Sequence, residues 1–570
     1  MKKRIIALAL MLVMMCNLTA CNSGLFGKMM NKIADSKQEE ASKKEAEIAQ
    51  KVEDGRGYLF GIDGKECDYK KAYDTFTECA KEGNADAKYY LGVMYEKGYH
   101  VKQDYSKAKS YYEDADANDH KYAEFALGYM YAMGNGVNEN LTKAKLYFED
   151  SLKNGCVEAN AGIAIVAYEK ENNTDIVYLE GLINHACTGK EPNLVCAAQE
   201  YMAKLYYDGV GAEPNYQKAM EWYKKASENG SDSAMNRIGV MYYDGVGTDV
   251  DYDKAYEWYK KAVDYNNAWA MHNIGLMYSD GKKFEKDYQK AYEWYKKAAD
   301  LGNASAQNRI GVMYHFGRYV EQDYAKAMEC YLKAAEAGEK AAMNNIGNAY
   351  YYEYGYEQDY KKAFSWYEKA ANAGHDAGMY HCAIFYQNGY AVEQNYDKAY
   401  EWYLKSANEG YANAMNQLGY FYEKGYSVEK DNKKALEWYI QGAGAGSSTA
   451  ATNAGYIYYD GDGVEVNYSM AMQCFVRASE LGNTNAMNRI GLMYFNGQGV
   501  ERNYEESVVW FKKAADGGFA TAMYNVAYAY FKGYGVEIDY TKAKEWALKA
   551  KDAGYEHAQQ MLDNLETMGY

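Results

Sequence analysis

Apolar residues fall at Ala234, Ile238, Met241 and Tyr242, spacings that set them on one face of a helix. "YYDGVG" then breaks the pattern at Gly245 and Gly247. Asp251 precedes a second periodic stretch, whose apolar face is Ala255, Trp258, Tyr259 and Ala262. The pattern predicts two helices joined by a glycine turn.

The same pattern recurs along the chain. Lys254-Ala255 has counterparts at Lys218-Ala219, Lys290-Ala291, Lys326-Ala327, Lys362-Ala363, Lys398-Ala399, Lys434-Ala435 and Lys542-Ala543. Met470-Ala471 and Glu506-Ser507 fill the two remaining slots, and every step is 36 residues. Lys71, Lys107 and Lys143 share that spacing, but the step from Lys143 to Lys218 is 75. This gives 13 clear units and one degenerate unit near 156–193. One two-helix hairpin cannot bury both of its faces, so successive units must stack. The expected fold is all-α, an α/α superhelical solenoid of about 14 repeats spanning residues 46–570. A polar helix within 557–570, carrying "QQMLDNLE", is expected to cap it.

Several columns have a direct physical reading. The Asp251 column holds Asp or Asn in all clear units, as helix N-caps do, because their side chains accept the free N–H groups of a first turn. A metal site is the weaker reading of that column. Glycines at 302, 338, 374, 410, 446, 482, 518 and 554 close the second helices, and Asn266 fills the slot once. Eight of the nine tryptophans share one column (222, 258, 294, 366, 402, 438, 510 and 546), which predicts inter-helix packing in the core. The repeat thus accounts for an aromatic content of 16%.

Composition narrows the class. Two prolines, where average usage of about 5% predicts roughly 28, fit a helical chain with few ordinary loops. A net charge of −17 argues against nucleic acid as a partner. A hydrophobic content of 48% excludes intrinsic disorder.

The N-terminus reads as an address. Lys2, Lys3 and Arg4 precede an apolar run from Ile5 to Met15, too short to span about 30 Å of hydrocarbon. Leu18-Thr19-Ala20-Cys21 resembles the bacterial lipobox, which makes residues 1–20 a lipoprotein signal peptide and Cys21 the lipidated residue. Asn22 is not the Asp that retains some lipoproteins at an inner membrane. An extracytoplasmic place in the cell envelope is therefore expected, at the outer membrane or the cell membrane. Residues 21–45 form a polar tether, expected to be a partly helical spacer.

The unit "AMNRIGVMYYDGVGTDVDYDKAYEWYKKAVDYNN" resembles the Sel-1-like repeat, a relative of the tetratricopeptide repeat. The resemblance covers nearly every unit from about 46 to 560. It implies a scaffold for protein–protein contacts. Exported bacterial members often act in envelope assembly, signalling or host contact. Some secreted members carry a disulfide in each unit, and that cysteine pattern is absent here. Cys330 and Cys474 occupy the tryptophan column and Cys382 the Ile238 column, so each reads as a buried thiol. Cys67 and Cys79 are too far apart to bridge, and Cys187 with Cys196 is the one pair that could form. The degenerate unit is either a specialised contact or the product of neutral decay.

No catalytic constellation emerges. The histidines lack metal-ligand spacing, and there is no nucleophile elbow or phosphate-binding loop. "GAGAG" at 442–446 and "DGDG" at 460–463 fall in repeat turns. The chain is expected to be a scaffold rather than an enzyme, with no metal and no cofactor. The alternative is an envelope hydrolase of β-lactamase-like or peptidoglycan-directed type.

A protein or peptide partner is expected on the concave face. Positions matching Asn236, Val240 and Tyr243 lie about 160° from the core stripe of each first helix. A solvent face would be charged there. Instead the middle column includes Val240, Tyr420, Tyr456 and Tyr528, and the first includes Asn236, Asn308, Asn344, Asn416 and Asn488. These, with Tyr243, are the candidate binding residues. Tyr420, Tyr456 and Tyr528 are expected to be anchors. Packing between neighbouring repeats is the other reading of both columns.

Overall fold

A computed structural model describes residues 24–62, 64–117 and 120–570. The expected signal peptide and Cys21 lie outside them. The described residues are all-α, with 29 helices and no strand. They form two compact bodies, one ending at Asn303 and one running from Ala304 to Tyr570. Within each body every first helix packs on the second helix that follows it, and that helix on the next repeat. The pairing gives roughly 14 repeats.

In the repeat of Asp232–Asp244 and Tyr252–Asp264, Ala234, Ile238, Ala255 and Ala262 have no exposed surface. The backbone N–H of Lys254 donates to the Asp251 carboxylate at 2.9 Å, and the Lys254 ammonium folds back to it at 3.0 Å. The same cap recurs at Asp68, Asp104, Asn140, Asn215, Asp287, Asp323, Asp359, Asn395, Asn467, Asn503 and Asp539. The column is therefore a row of N-caps, each contributing about 1 kcal/mol.

The tryptophan column packs between helices as its spacing predicts, with Trp222 in the core, but the deepest ring lies elsewhere. The fully buried ring is the next residue, Tyr259, with Tyr295, Tyr367, Tyr403, Tyr439 and Phe475 in the same column. Tyr259 lies flat against Gly239 of its partner helix, where a Cβ would stand 2.5 Å from the ring. A ring so enclosed stabilises its repeat by about 1.5–3 kcal/mol. Trp258, Trp294 and Trp366 are half-buried, each bridging two repeats at the edge of the core. The lysine three residues on covers the open face: Lys261 lies 3.9 Å from the Trp258 ring centre and Lys369 3.9 Å from that of Trp366. Cys474 shares that column and is half-buried, whereas Cys382 is fully enclosed.

Two further observations concern the tether and the thiols. The expected boundary at 45/46 falls inside one helix, Gly24–Phe60, 37 residues and about 56 Å long. Its residues 32–47 are exposed, and its last turns act as the first helix of the first repeat, with Gly55 against Phe76. Cys187 and Cys196 are free thiols, because the buried Cys196 turns its sulfur to the Asn229 carbonyl of its own repeat, 3.3 Å away. The last helix, Ala558–Thr567, buries Ala558, Met561, Leu562 and Leu565 and shows its polar side to solvent.

Candidate functional site

The column of Val240, Val312, Tyr420, Tyr456 and Tyr528 is half-buried at each of these positions. It is neither a sealed core row nor a charged solvent row. The Tyr420 ring stands edge-on to Tyr426 at 5.9 Å, with the Lys424 ammonium 5.4 Å from its centre. The Tyr456 hydroxyl donates to Asn485 at 3.2 Å and accepts from Arg489 at 2.9 Å, which ties it to the next repeat. Tyr528 lies between Tyr524 and Tyr534, with ring centres 6.4 and 6.0 Å away. Tyr243 stands edge-on to Tyr252 at 5.2 Å, and burial pushes its hydroxyl up to about 12.

The asparagine column has a different occupation. The side-chain N–H of Asn273 donates to the Asn236 carbonyl at 2.9 Å, Asn345 to Asn308 at 2.9 Å, Asn453 to Asn416 at 3.0 Å and Asn525 to Asn488 at 2.8 Å. These bonds join four pairs of successive repeats, and Asn308 and Asn488 are buried. Their carbonyls are therefore engaged within the stack rather than open to a partner. Asn344 is buried as well, but the position that would donate to it is His381, and its carbonyl oxygen has no partner. Burial lowers His381 to about 4, so its imidazole is neutral, stacked 4.4 Å from the Tyr367 ring.

In the first body, contacts that the repeat pattern did not reveal join distant repeats. Counted back from the helix cap, Tyr89 and Glu200 occupy the Asn236 column, Tyr129 the Val240 column and Glu96 the Tyr243 column. Asn193 donates to the Tyr89 hydroxyl at 2.9 Å, and the Tyr90 hydroxyl donates to Glu191 at 3.1 Å. The Arg56 guanidinium donates to the Lys190 carbonyl at 3.0 Å and lies 3.8 Å from the Glu191 carboxylate. Further along, the Tyr99 hydroxyl donates to Asp232 at 3.3 Å and the Tyr69 hydroxyl to the Tyr265 carbonyl at 3.3 Å. Burial raises Glu191 to about 7 against the opposing pull of Arg56. Glu200 is also raised by burial, while Glu96 beside Lys97 holds that ammonium charged. Two signals in the sequence mark the region: the long step of 75 and Pro192, one of only two prolines.

Among the described residues, no three His, Cys, Asp or Glu side chains are grouped to hold a metal ion. No described helix is long and apolar enough to cross a membrane.

Stacked two-helix repeats whose first helices carry half-buried positions such as Val240, Val312, Tyr420, Tyr456 and Tyr528 define a solenoid scaffold for protein contacts, a class that is typically non-enzymatic. The chain belongs to the Sel1 repeat family. The family pattern matches residues 85–115, 121–156, 196–231, 232–264, 270–303, 304–339, 340–375, 376–411, 412–447, 448–483, 484–519 and 520–555. It passes over 157–195, the degenerate unit. Among solved structures, c5321, a protective antigen of uropathogenic Escherichia coli with an SLR fold, is 26% identical, with a TM-score of 0.40, covering 87% of this chain and 97% of that one. A Sel1 repeat protein from Oxalobacter formigenes is 30% identical over 44% of this chain and 100% of that one, with a TM-score of 0.40. The immunity protein PA5088 from Pseudomonas aeruginosa is 26% identical over 38% and 82%, with a TM-score of 0.32. No curated protein matches the chain.

Proposed function

We propose that the protein is a lipid-anchored extracytoplasmic scaffold that holds a protein segment against its first helices, in envelope assembly, signalling or host contact. The observation that carries the reading is the half-buried column of Val312, Tyr420, Tyr456 and Tyr528. Such a row offers apolar contact without being sealed in the core, and tyrosine suits it because a rigid ring with a polar tip anchors a partner at low entropic cost. The asparagines contribute by fixing the repeat spacing rather than by holding the partner. Anchoring rests on Cys21 in Leu18-Thr19-Ala20-Cys21 behind the apolar run. The helix Gly24–Phe60 supports it, because its exposed stretch is a stiff spacer between a membrane surface and the repeats.

One experiment tests both parts. Crosslinked membranes from cells expressing the wild type, Cys21→Ser and Tyr420→Ala/Tyr456→Ala/Tyr528→Ala are solubilised and the protein recovered. The wild type should bring a partner from the membrane fraction. Cys21→Ser should incorporate no labelled fatty acid, whether it is left uncleaved or released. The tyrosine variant should lose it at least tenfold, at a stability cost of about 1 kcal/mol per half-buried ring. Undiminished capture by the tyrosine variant refutes the binding row, and unchanged fatty-acid labelling of Cys21→Ser refutes the anchor at Cys21.

A further inference from the structure

The degenerate unit does more than interrupt the array, because its last turn sits against repeats that precede it by about a hundred residues. Arg56 binds the backbone carbonyl of Lys190, Tyr90 the carboxylate of Glu191 and Tyr89 the amide of Asn193. From beneath, the buried Glu158 carboxylate accepts the backbone N–H of Glu191 at 3.0 Å and so presets the turn. The Lys190 carbonyl, one Glu191 carboxylate oxygen, the Glu191 N–H and the Asn193 amide thus each have a separate recognition group, as in the binding of a peptide. The same tripeptide, Glu213-Pro214-Asn215, recurs in an exposed turn, so the sequence Glu-Pro-Asn does not by itself require burial.

The fit is incomplete. Arg56 Nε, Glu191 Oε1 and Asn193 Oδ1 are all buried at this contact without a hydrogen-bond partner. Buried polar groups left unpaired weaken a contact. An occupant held by three side chains, with three polar atoms unmatched, is poised for exchange.

We propose that Arg56, Tyr89 and Tyr90 form a peptide-recognition site that Lys190–Asn193 fills as an internal ligand, and that a partner segment carrying Glu-Pro-Asn takes its place. Arg56 would take the carbonyl that precedes the acidic residue, Tyr90 the carboxylate and Tyr89 the amide. Arg56 lies in the last turns of the helix Gly24–Phe60. This inference rests on the reading of the chain as a holder of protein segments. The two fail separately, since capture through Tyr420, Tyr456 and Tyr528 is read without the first body's site.

The test uses the full chain and the synthetic peptide TGKEPNL, with TGKQPAL as control. Wild type should bind the peptide weakly, because its site is filled. Glu191→Ala/Asn193→Ala, with the internal ligand disarmed, should bind it at least tenfold more tightly. Adding Arg56→Ala or Tyr90→Phe should reverse that gain. Equal binding by wild type and the disarmed variant, or a gain that survives Arg56→Ala, overturns the proposal. Should the disarmed variant not fold, hydrogen exchange on the wild type decides: excess TGKEPNL should speed exchange at the Glu191 and Leu194 amides, and TGKQPAL should not. Unchanged exchange overturns the proposal.

Discussion

The two bodies are built from the same repeat, yet they hold themselves together differently. In residues 304–570 the side-chain bonds described join a repeat to itself or to the next one, as Asn345 to Asn308 and Tyr459 to Gln498 do. In the first body Arg56, Tyr69, Tyr89, Tyr90 and Tyr99 reach across 101–196 residues of sequence. A regular array couples nearest neighbours only, so its stability is a sum of local terms. The first body adds long-range links, and those to Lys190, Glu191 and Asn193 depend on the unit that departs from the repeat. Irregularity there is a source of tertiary structure, not a loss of it.

Deletion should break this comparison most strongly. Removing 376–411 takes out one family-matched repeat of the second body and leaves the register intact. Helical signal per residue should be unchanged and the melting temperature should stay within about 5 °C. Removing 157–195 also restores perfect register, joining 156 to 196. It takes away Glu158, Glu191 and Asn193 together, and should lower the melting temperature by more than about 10 °C, since each buried group left unpaired costs about 1–3 kcal/mol. Equal losses in the two melts would mean that the bodies do not differ.

A smaller effect separates them by pH. The folded Glu191 titrates at about 7, above the 4.5 of an ordinary glutamate. The folded first body therefore keeps a proton that the unfolded chain releases. Its contribution is complete below about pH 4.5 and is lost as pH rises toward 7, by up to about 3 kcal/mol. Amide exchange in the first body should quicken across that range, and Glu191→Gln should flatten the dependence. A slope unchanged in Glu191→Gln would assign the effect to other groups.

The mildest test compares glycines. A Cβ at Gly455 would stand 2.5 Å from the Phe475 ring, so Gly455→Ala should cost about 2 kcal/mol in a urea titration. Gly181, on a helix of the degenerate unit, has nothing within 4 Å of that position, so Gly181→Ala should stabilise by about 0.5–1 kcal/mol. Equal costs would mean that the degenerate unit packs as tightly as the rest.

The repeat and its local signals were legible in the sequence. The Asp251 column, the glycine closures and the two-helix unit follow from residues that act within one or two turns of their own position. The tryptophan column marked the packing between helices but not the sealed ring, because aromatic size does not tell that ring from its neighbour. Gly239 does tell them apart, since a missing side chain on the facing helix makes room for Tyr259. The asparagine column misled. An amide suits a partner's backbone and a neighbour's amide equally, and only the placement of Asn273 beside Asn236 decides. The contact of Arg56 with Glu191 could not be read at all, because no periodicity relates two residues 135 positions apart.

The asparagine bonds also say how such a chain can grow. Acceptors sit at Asn236, Asn308, Asn416 and Asn488, and donors at Asn273, Asn345, Asn453 and Asn525. Both sets recur at 72 residues except for one step of 108, from Asn308 to Asn416 and from Asn345 to Asn453, so on either side of that step repeats that give and repeats that receive alternate. The repeat of 376–411 stands outside the alternation, beside the unpaired Asn344. Duplicating one repeat of a pair sets donor next to donor or acceptor next to acceptor, whereas duplicating two copies the bond intact. The pair is thus the unit that carries its own bond when it is copied, and a repeat outside the alternation, as 376–411 is, can be gained or lost without breaking one.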